Sequence, residues 1–156
     1  MRFPSVSGVN LSRKTVSLPG GLEGELNVLI IAFQRWQQGL IESWMPLLEQ
    51  LERTIPGVRY YELPVIQRLD PISRTFINEG MRAGIADSHA RERTITLYLN
   101  KGNFRSALGL PDEDTIYVLM IDREGQVLWR AEGALTGQKA DSLLTAVQQR
   151  TQIQTD

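Results

Sequence analysis

The sequence contains no cysteine among its 156 residues. Disulfides, thiolate metal sites and thiol redox chemistry are therefore excluded. Histidine is almost as rare, because His89 is the single one, and a metal site built from several histidines is not expected. Lysine is scarce too, with three lysines beside fourteen arginines, and the net charge of −1 argues against a nucleic-acid-binding surface. Phosphate-binding loops and dinucleotide-binding glycine patterns are also missing, so we expect no cofactor.

Long apolar runs are missing as well. The longest run, residues 28–33, is far shorter than the ~20 residues that a membrane-spanning helix needs. The first residues lack the basic-then-apolar pattern of a signal peptide. We therefore expect no membrane span and a cytoplasmic location. A chain of 156 residues, 42% of them hydrophobic, is long enough for one domain with a sizeable core.

The first half of the chain predicts two strands around a helix. Residues 27–34 form a nearly continuous apolar run, which is typical of a strand buried on both faces. The helix after it carries Trp44 on its apolar stripe, where we expect a core residue, and contains Pro46, which predicts a kink. Residues 58–63 predict a second strand, which we expect to end at Pro64.

The second half continues the alternation of helices and strands. Asp70 and Pro71 predict the start of a helix over residues 72–85. Residues 94–99 alternate like a strand. Phe104 and Leu108 then predict a short helix, which we expect to end at Gly109.

The last part of the chain predicts a hairpin and a helix. Residues 116–121 and 126–129 flank a turn with Gly125 at a position that favours positive φ. Thr136 is placed to cap a final helix, and residues 3–17 predict an additional hairpin near the start. Strands that alternate with helices imply parallel crossovers, and the closing hairpin adds an antiparallel edge. The order predicts an α/β fold with a mixed central sheet covered by helices on both faces.

This order of elements resembles the thioredoxin-like fold in its redoxin and peroxiredoxin-like form. Three features carry the resemblance: the strand 28–33 leading into a helix that contains Pro46, an insert over residues 70–110, and a late hairpin over residues 116–130. The resemblance implies one thioredoxin-like domain over residues 1–156, with its core at 3–148 and a tail at 149–156. The late hairpin, with its Asp-x-x-Gly turn and Trp-Arg ending, is also similar to the mitochondrial ATP synthase assembly factors.

The redox residues of that family are absent. When the helix is aligned on Pro46, the two cysteine positions of the thioredoxin motif fall on Gln38 and Ile41, and neither is a nucleophile. The cis-proline that precedes the late strand in thioredoxins is replaced by residues 113–115, Glu-Asp-Thr. We therefore expect no thiol oxidoreductase or peroxidase activity.

The turn before the first long helix is the main candidate binding site. A helix begins there with unpaired N–H groups and the positive end of its dipole. Gln37 and Gln38 can hydrogen-bond a ligand, while Arg35 and Trp36 can hold an anion or a stacked ring. The alternative is a polar turn whose tryptophan packs on the protein.

A second candidate lies in residues 80–93, which combine three arginines, an aspartate and the single histidine. Arg82 and His89 are ligand-binding candidates, because an arginine cluster with a titrating group can form an anion pocket. The alternative is the frayed end of a helix followed by a solvated loop. The acidic run at residues 112–114 lacks the spacing of a calcium loop, and we expect it to be solvated.

These patterns predict a non-redox binding or assembly-assisting protein that uses the degenerate turn. Its partner is either a protein or a small molecule, and the sequence does not choose between them. Two alternatives stay open. One is an enzyme that performs non-thiol chemistry on a small molecule at the same turn. The other is an interaction module that works as a homodimer through an edge strand or the proline-containing helix.

Overall fold

The computed structural model of the chain describes residues 1–68 and 92–155. The helix predicted over residues 72–85 lies outside the described residues, as does most of the predicted insert. Asp70 and Pro71, offered as the start of that helix, lie outside them as well.

The described residues form one seven-stranded sheet and three α-helices. Their bounds, in chain order, are β1 Val6–Asn10, β2 Thr15–Leu18, β3 Leu26–Ala32, α1 Gln38–Thr54, β4 Val58–Gln67, β5 Ile95–Leu99, α2 Lys101–Leu108, β6 Tyr117–Asp122, β7 Val127–Glu132 and α3 Gly137–Thr155. The strand order is β2-β1-β5-β4-β3-β6-β7. Strands β3, β4 and β5 are parallel neighbours, and the other pairings are antiparallel. The predicted mixed sheet and N-terminal hairpin are confirmed.

Strand β3 is the centre of the molecule. All seven of its residues are buried, which explains their nearly continuous apolar sequence. Side chains alternate between the two faces, so Ile30 packs into a core with helices α1 and α3, and Ile31 into a core with α2. Tyr60 and Tyr61 likewise lie on opposite faces, and both are buried.

Helix α1 covers one face of the sheet and runs through Pro46, which sits on its exposed side. Trp44 is fully buried beneath the helix, and its indole N–H donates to the carbonyl of Gly133 at 2.9 Å. The expectation that Trp44 is a core residue is confirmed. None of the helices in the described residues is both long and apolar enough to cross a membrane.

Strand β4 does not end at Pro64, contrary to the prediction, but continues to Gln67. Pro64 pairs with Ala32, the last residue of β3. On its other side, β4 has an isolated bridge from Glu62 to Thr94 and pairs with β5 from Val65 to Gln67. The proline therefore lies in the last pair of the β3 ladder and in a gap of the pairing on the β5 side, where a missing N–H is tolerated.

The predicted helix end at Gly109, the turn at Gly125 and the cap at Thr136 are present. Gly109 follows α2 with φ of 66°, and Gly125 lies in the β6–β7 turn with φ of 87°. Both values fall in the left-handed region, where glycine is favoured because it lacks a Cβ. The hydroxyl of Thr136 accepts from the backbone N–H of Lys139 at 3.3 Å, as expected for the cap of α3.

Strand β7 is one edge of the sheet, and both of its ends are covered by other parts of the chain. At its start, the backbone N–H of Val127 donates to the carbonyl of Met1 at 2.8 Å. At its end, the ammonium group of Lys139 donates to the carbonyls of Glu132 and Ala134. Within residues 1–68 and 92–155, such cover is found at both ends of this edge and not at its middle.

Candidate functional site

The candidate site is the turn that joins the end of β3 to the start of α1. Phe33 and Gln34 follow β3, and Arg35–Gln37 form one turn of 3-10 helix before α1 begins at Gln38. The turn therefore lies at the carboxyl end of the central parallel strand, where ligands bind in open α/β sheets. The sequence correctly predicted that a strand-to-helix turn lies here, and its role in binding stays a prediction.

Trp36 points away from the protein. Its side chain is 64% exposed, and Met1 is the other large hydrophobic residue exposed to a similar degree in the described part of the chain. The alternative in which this tryptophan packs on the protein is therefore wrong. Arg35 beside it is also exposed, and its guanidinium has no hydrogen-bond or ion-pair partner in residues 1–68 and 92–155.

Gln37 is fully buried, which corrects the expectation that it faces a ligand. Its side-chain oxygen accepts from the backbone N–H groups of Phe33 at 2.9 Å and Gln34 at 3.2 Å. Its side-chain nitrogen donates to the carbonyl of Glu113 at 2.7 Å. Because both acceptor sites and one donor of the amide are used within the protein, Gln37 is a structural residue of the turn.

Glu113 belongs to this arrangement, so the expectation of a solvated loop is wrong for this residue. Its carboxylate accepts from the ammonium of Lys101 at 3.2 Å and the amide of Gln34 at 3.5 Å. The guanidinium of Arg105 lies 3.4 Å away. Two residues of α2, together with Gln34 and Gln37 of the turn, thus hold the loop before β6 in place.

The two aligned cysteine positions differ in burial. Gln38 is exposed as the first residue of α1, whereas Ile41 is buried in the core that α1 covers. Residues 113–115 do precede β6 and lie beside the turn, and the cis peptide bond in the described residues is elsewhere, at Leu18–Pro19. The turn therefore offers an indole, a guanidinium and an amide, which are groups that bind and are not nucleophiles.

Arg93, one of the three arginines in the second candidate segment, is engaged within the fold. Its guanidinium forms an ion pair with Glu52 of α1 and lies 4.4 Å from the ring centroid of Tyr60. Burial is the largest single influence on the pKa of Arg93 and lowers it. The hydrogen bond with Glu52 and the electrostatic interactions with Tyr60, Glu52 and Tyr61 together outweigh burial, so the pKa is raised. Arg82 and His89 lie outside the described residues, and their candidate roles stay predictions.

Sequence reasoning missed one titratable group, Glu62 in β4. Strand alternation places it on the face that carries Val58 and Tyr60, beneath α1. Burial raises the pKa of Glu62, and the nearby carboxylate of Glu42 on α1 raises it further. The sequence did contain a signal for this group, because Glu62 is the one charged residue on the strand face that also carries Val58 and Tyr60.

Solved structures share this fold. The exposed lipoprotein thioredoxin Etrx1 of Streptococcus pneumoniae is 15% identical with a TM-score of 0.59, and the match covers 94% of this chain and 99% of that chain. BsSco, of the Sco family of cytochrome c oxidase assembly proteins, is 16% identical with a TM-score of 0.61, covering 95% and 92%. StoA of Bacillus subtilis is 10% identical with a TM-score of 0.55, covering 93% and 97%. These likenesses show that the chain has a thioredoxin-like fold.

Comparison with curated proteins finds no significant match. A comparison with protein families gives a more specific result. The sequence model of the ATP10 protein family matches residues 1–149, which is nearly the whole chain and includes the turn, α1 and the late hairpin. The resemblance of the late hairpin to ATP synthase assembly factors agrees with this match. The chain therefore belongs to the ATP10 protein family.

Proposed function

We propose that this protein assists the assembly of an ATP synthase as a non-redox binding protein, and that it docks a partner protein through Arg35, Trp36 and Gln38. Membership of the ATP10 protein family supports the assembly role. The absence of cysteine supports a role without thiol chemistry. BsSco, which has the same fold, belongs to a family named for the assembly of another membrane complex, so the fold is compatible with such work.

The exposure of Trp36 is the observation that carries the docking proposal. An indole that is 64% exposed leaves a large apolar surface in water, and burying it against a partner is favourable. Tryptophan and arginine are the residue types most enriched among residues that dominate binding energy in protein interfaces. Arg35 is exposed beside it without a partner of its own among the described residues.

These two side chains define the chemistry of the partner. The indole of Trp36 requires an apolar pocket, and the guanidinium of Arg35 requires a carboxylate near the rim of that pocket. The partner surface is therefore an apolar segment that carries at least one acidic residue. Gln38 lies at the start of α1 and adds a hydrogen-bonding amide to the same surface.

The proposal is tested by co-purification of tagged protein with ATP synthase subunits from detergent-solubilised membranes of the source cell. We expect Trp36→Ala to reduce retention of the subunits by at least about tenfold, because truncating such a residue costs roughly 2 kcal/mol or more of binding. Arg53→Ala, an exposed arginine near the other end of α1, is the matched control and should retain them.

Stability measurements accompany this test. Because Trp36 packs against little of the protein, Trp36→Ala should change the free energy of unfolding by less than about 0.5 kcal/mol. Full retention of ATP synthase subunits by Trp36→Ala would contradict docking through the turn. Failure of the unaltered protein to retain any subunit would contradict the assembly role.

A further inference from the structure

We infer that Gln37 is a positioning residue, whose buried amide locks the β3–α1 turn to the loop before β6 and thereby holds Trp36 in its outward, docking-competent position. The functional part of this inference rests on the proposed docking role of Trp36. The lock itself is a property of the chain that is measurable without any partner.

The lock consists of three hydrogen bonds from one side chain. The oxygen of Gln37 accepts from the backbone N–H groups of Phe33 and Gln34, which fixes the path of the chain as it leaves β3. The nitrogen donates at 2.7 Å to the carbonyl of Glu113, a residue 76 positions away in the sequence. A fully buried amide with these partners holds one geometry, because breaking any bond leaves a buried polar group unpaired.

The other contacts between the two segments are weaker. The amide of Gln34 reaches the carboxylate of Glu113 at 3.5 Å and is exposed to solvent. The ammonium of Lys101 reaches the carbonyl of Phe33 at 3.5 Å and the same carboxylate at 3.2 Å. Solvent competes for such groups, so they support the arrangement but do not fix it. Gln37 is the one fully buried side chain in this set.

The lock has a consequence for where a partner can bind. The turn and residues 113–115 are the two segments that hold the cysteines and the cis-proline in thioredoxins, and here they are bonded directly to each other. A partner therefore docks on the outer surface of the turn and does not enter between the segments. Trp36 precedes Gln37 in the chain, so the same bonds that draw Gln37 inward leave the indole outside. A surface held in this way loses little conformational entropy on binding.

The test uses nuclear magnetic resonance of the full chain with three variants. Gln37→Ala removes the whole lock, Gln37→Glu in its ionised form keeps the acceptor oxygens but loses the donor to Glu113, and Gln50→Ala, at an exposed glutamine of α1 outside the turn, is the control. We expect amide hydrogen exchange of Phe33 and Gln34 to accelerate at least about tenfold in Gln37→Ala, relative to amides inside β3. Order parameters of the Trp36 indole should fall in Gln37→Ala and in ionised Gln37→Glu and stay unchanged in Gln50→Ala.

The comparison with amides inside β3 separates a local lock from general destabilisation, because a merely structural role would accelerate exchange throughout the strand. Unchanged exchange and unchanged Trp36 order in both Gln37 variants would overturn the inference. If Gln37→Ala loosens Trp36 yet retains ATP synthase subunits fully, the lock is not needed for docking and the inference is overturned too. If the unaltered protein retains no subunit, the proposed function fails, and the magnetic resonance result still decides the lock.

If Gln37→Ala does not fold, Gln37→Glu carries the test. It retains the two bonds to the turn, so Phe33 and Gln34 should remain protected from exchange while the Trp36 indole becomes more mobile. Equal mobility of the indole in Gln37→Glu and in the unaltered protein would show that the bond to Glu113 does not position Trp36.

Discussion

At the scale of single residues, neighbouring side chains of this protein meet opposite environments. Trp36 is mostly exposed while Gln37, the next residue, is fully buried. Glu62 has a third kind of environment, because it is a carboxylate largely removed from water beneath α1, with Glu42 as a second negative charge nearby. No cation lowers the pKa of Glu62 among residues 1–68 and 92–155. A charge held mostly out of water in this way is costly, so Glu62 is a source of instability at neutral pH.

Glu62→Gln should raise the melting temperature at about pH 7 and have little effect at about pH 4. Burial raises the pKa of Glu62 above its ordinary value of 4.5, so the folded protein holds this proton more tightly than the unfolded chain does. The stabilising contribution of protonated Glu62 is therefore fully present below pH 4.5, the ordinary pKa, and is lost as the pH rises through the pKa of the folded state. Thermal unfolding followed by circular dichroism at the two pH values provides the measurement.

Glu49→Gln, an exposed carboxylate on α1, is the control for the Glu62 experiment and should leave the melting temperature nearly unchanged at either pH. A Glu62→Gln protein that is less stable than the unaltered protein at about pH 7 would show that the charged carboxylate stabilises the fold.

The site illustrates what could be predicted from the sequence at this scale. The apolar run and the helix after it located the turn, because both signals are local. The inward direction of Gln37 was not predictable, since it depends on the carbonyl of Glu113, which is distant in sequence. In a 3-10 turn successive side chains point about 120° apart, so the sequence alone does not show which one meets the protein.

At the scale of elements, α2 has well-defined ends. Asn100 caps its start, because its side-chain oxygen accepts from the backbone N–H of Asn103 at 2.9 Å. Gly109 ends it in the left-handed conformation, and the N–H of Leu110 donates back to the carbonyl of Arg105 at 2.9 Å. The end at Gly109 was predicted from the sequence because capping is local chemistry, whereas the continuation of β4 past Pro64 depended on two neighbouring strands.

Gly109→Ala and Gly39→Ala should change stability in opposite directions. At Gly109 a Cβ meets no atom closer than 3.5 Å, so the loss of about 1 kcal/mol comes from the left-handed backbone and not from a clash. Gly39 lies in α1 with an ordinary helical backbone and nothing within 4 Å of a new Cβ, so alanine should add about 0.5–1 kcal/mol. Urea unfolding of both variants gives the two values.

Equal stability of the Gly109→Ala protein and the unaltered protein would mean that the end of α2 rearranges to a different cap. The N–H of Leu110 would then lose its bond to Arg105, which hydrogen exchange at Leu110 reports directly.

At the scale of the whole molecule, two hydrophobic cores share one sheet. Helices α1 and α3 close one core and α2 contributes to the other, while β3 supplies buried side chains to both. A perturbation on either face therefore reaches the same central strand. The nearly continuous apolar run of β3 predicted burial on both faces, whereas one domain was predicted from the length and hydrophobic fraction of the chain.

Ile30→Ala and Ile31→Ala should each lower the free energy of unfolding by roughly 2–5 kcal/mol, because each removes fully buried methyl groups from one core. Both variants should unfold in one transition, with tryptophan fluorescence and far-ultraviolet circular dichroism changing together. Ile66→Ala, a partly exposed position near the end of β4, is the control and should cost less. Separate transitions would contradict the prediction that the chain is a single domain.

The cover on strand β7 has a consequence for the behaviour of the protein at high concentration. An uncovered edge strand is a template for pairing with strands of other molecules, which leads to aggregation. Here the carbonyl of Met1 accepts from the N–H of Val127 at one end of the edge, and Lys139 donates to the carbonyl of Glu132 at the other end and of Ala134 just beyond it. Counting cover from the described residues, the stretch left for intermolecular pairing is a few residues long, and Lys139 brings a positive charge to its end. Removing either cover lengthens that stretch, so Met1 and Lys139 contribute to solubility as well as to stability.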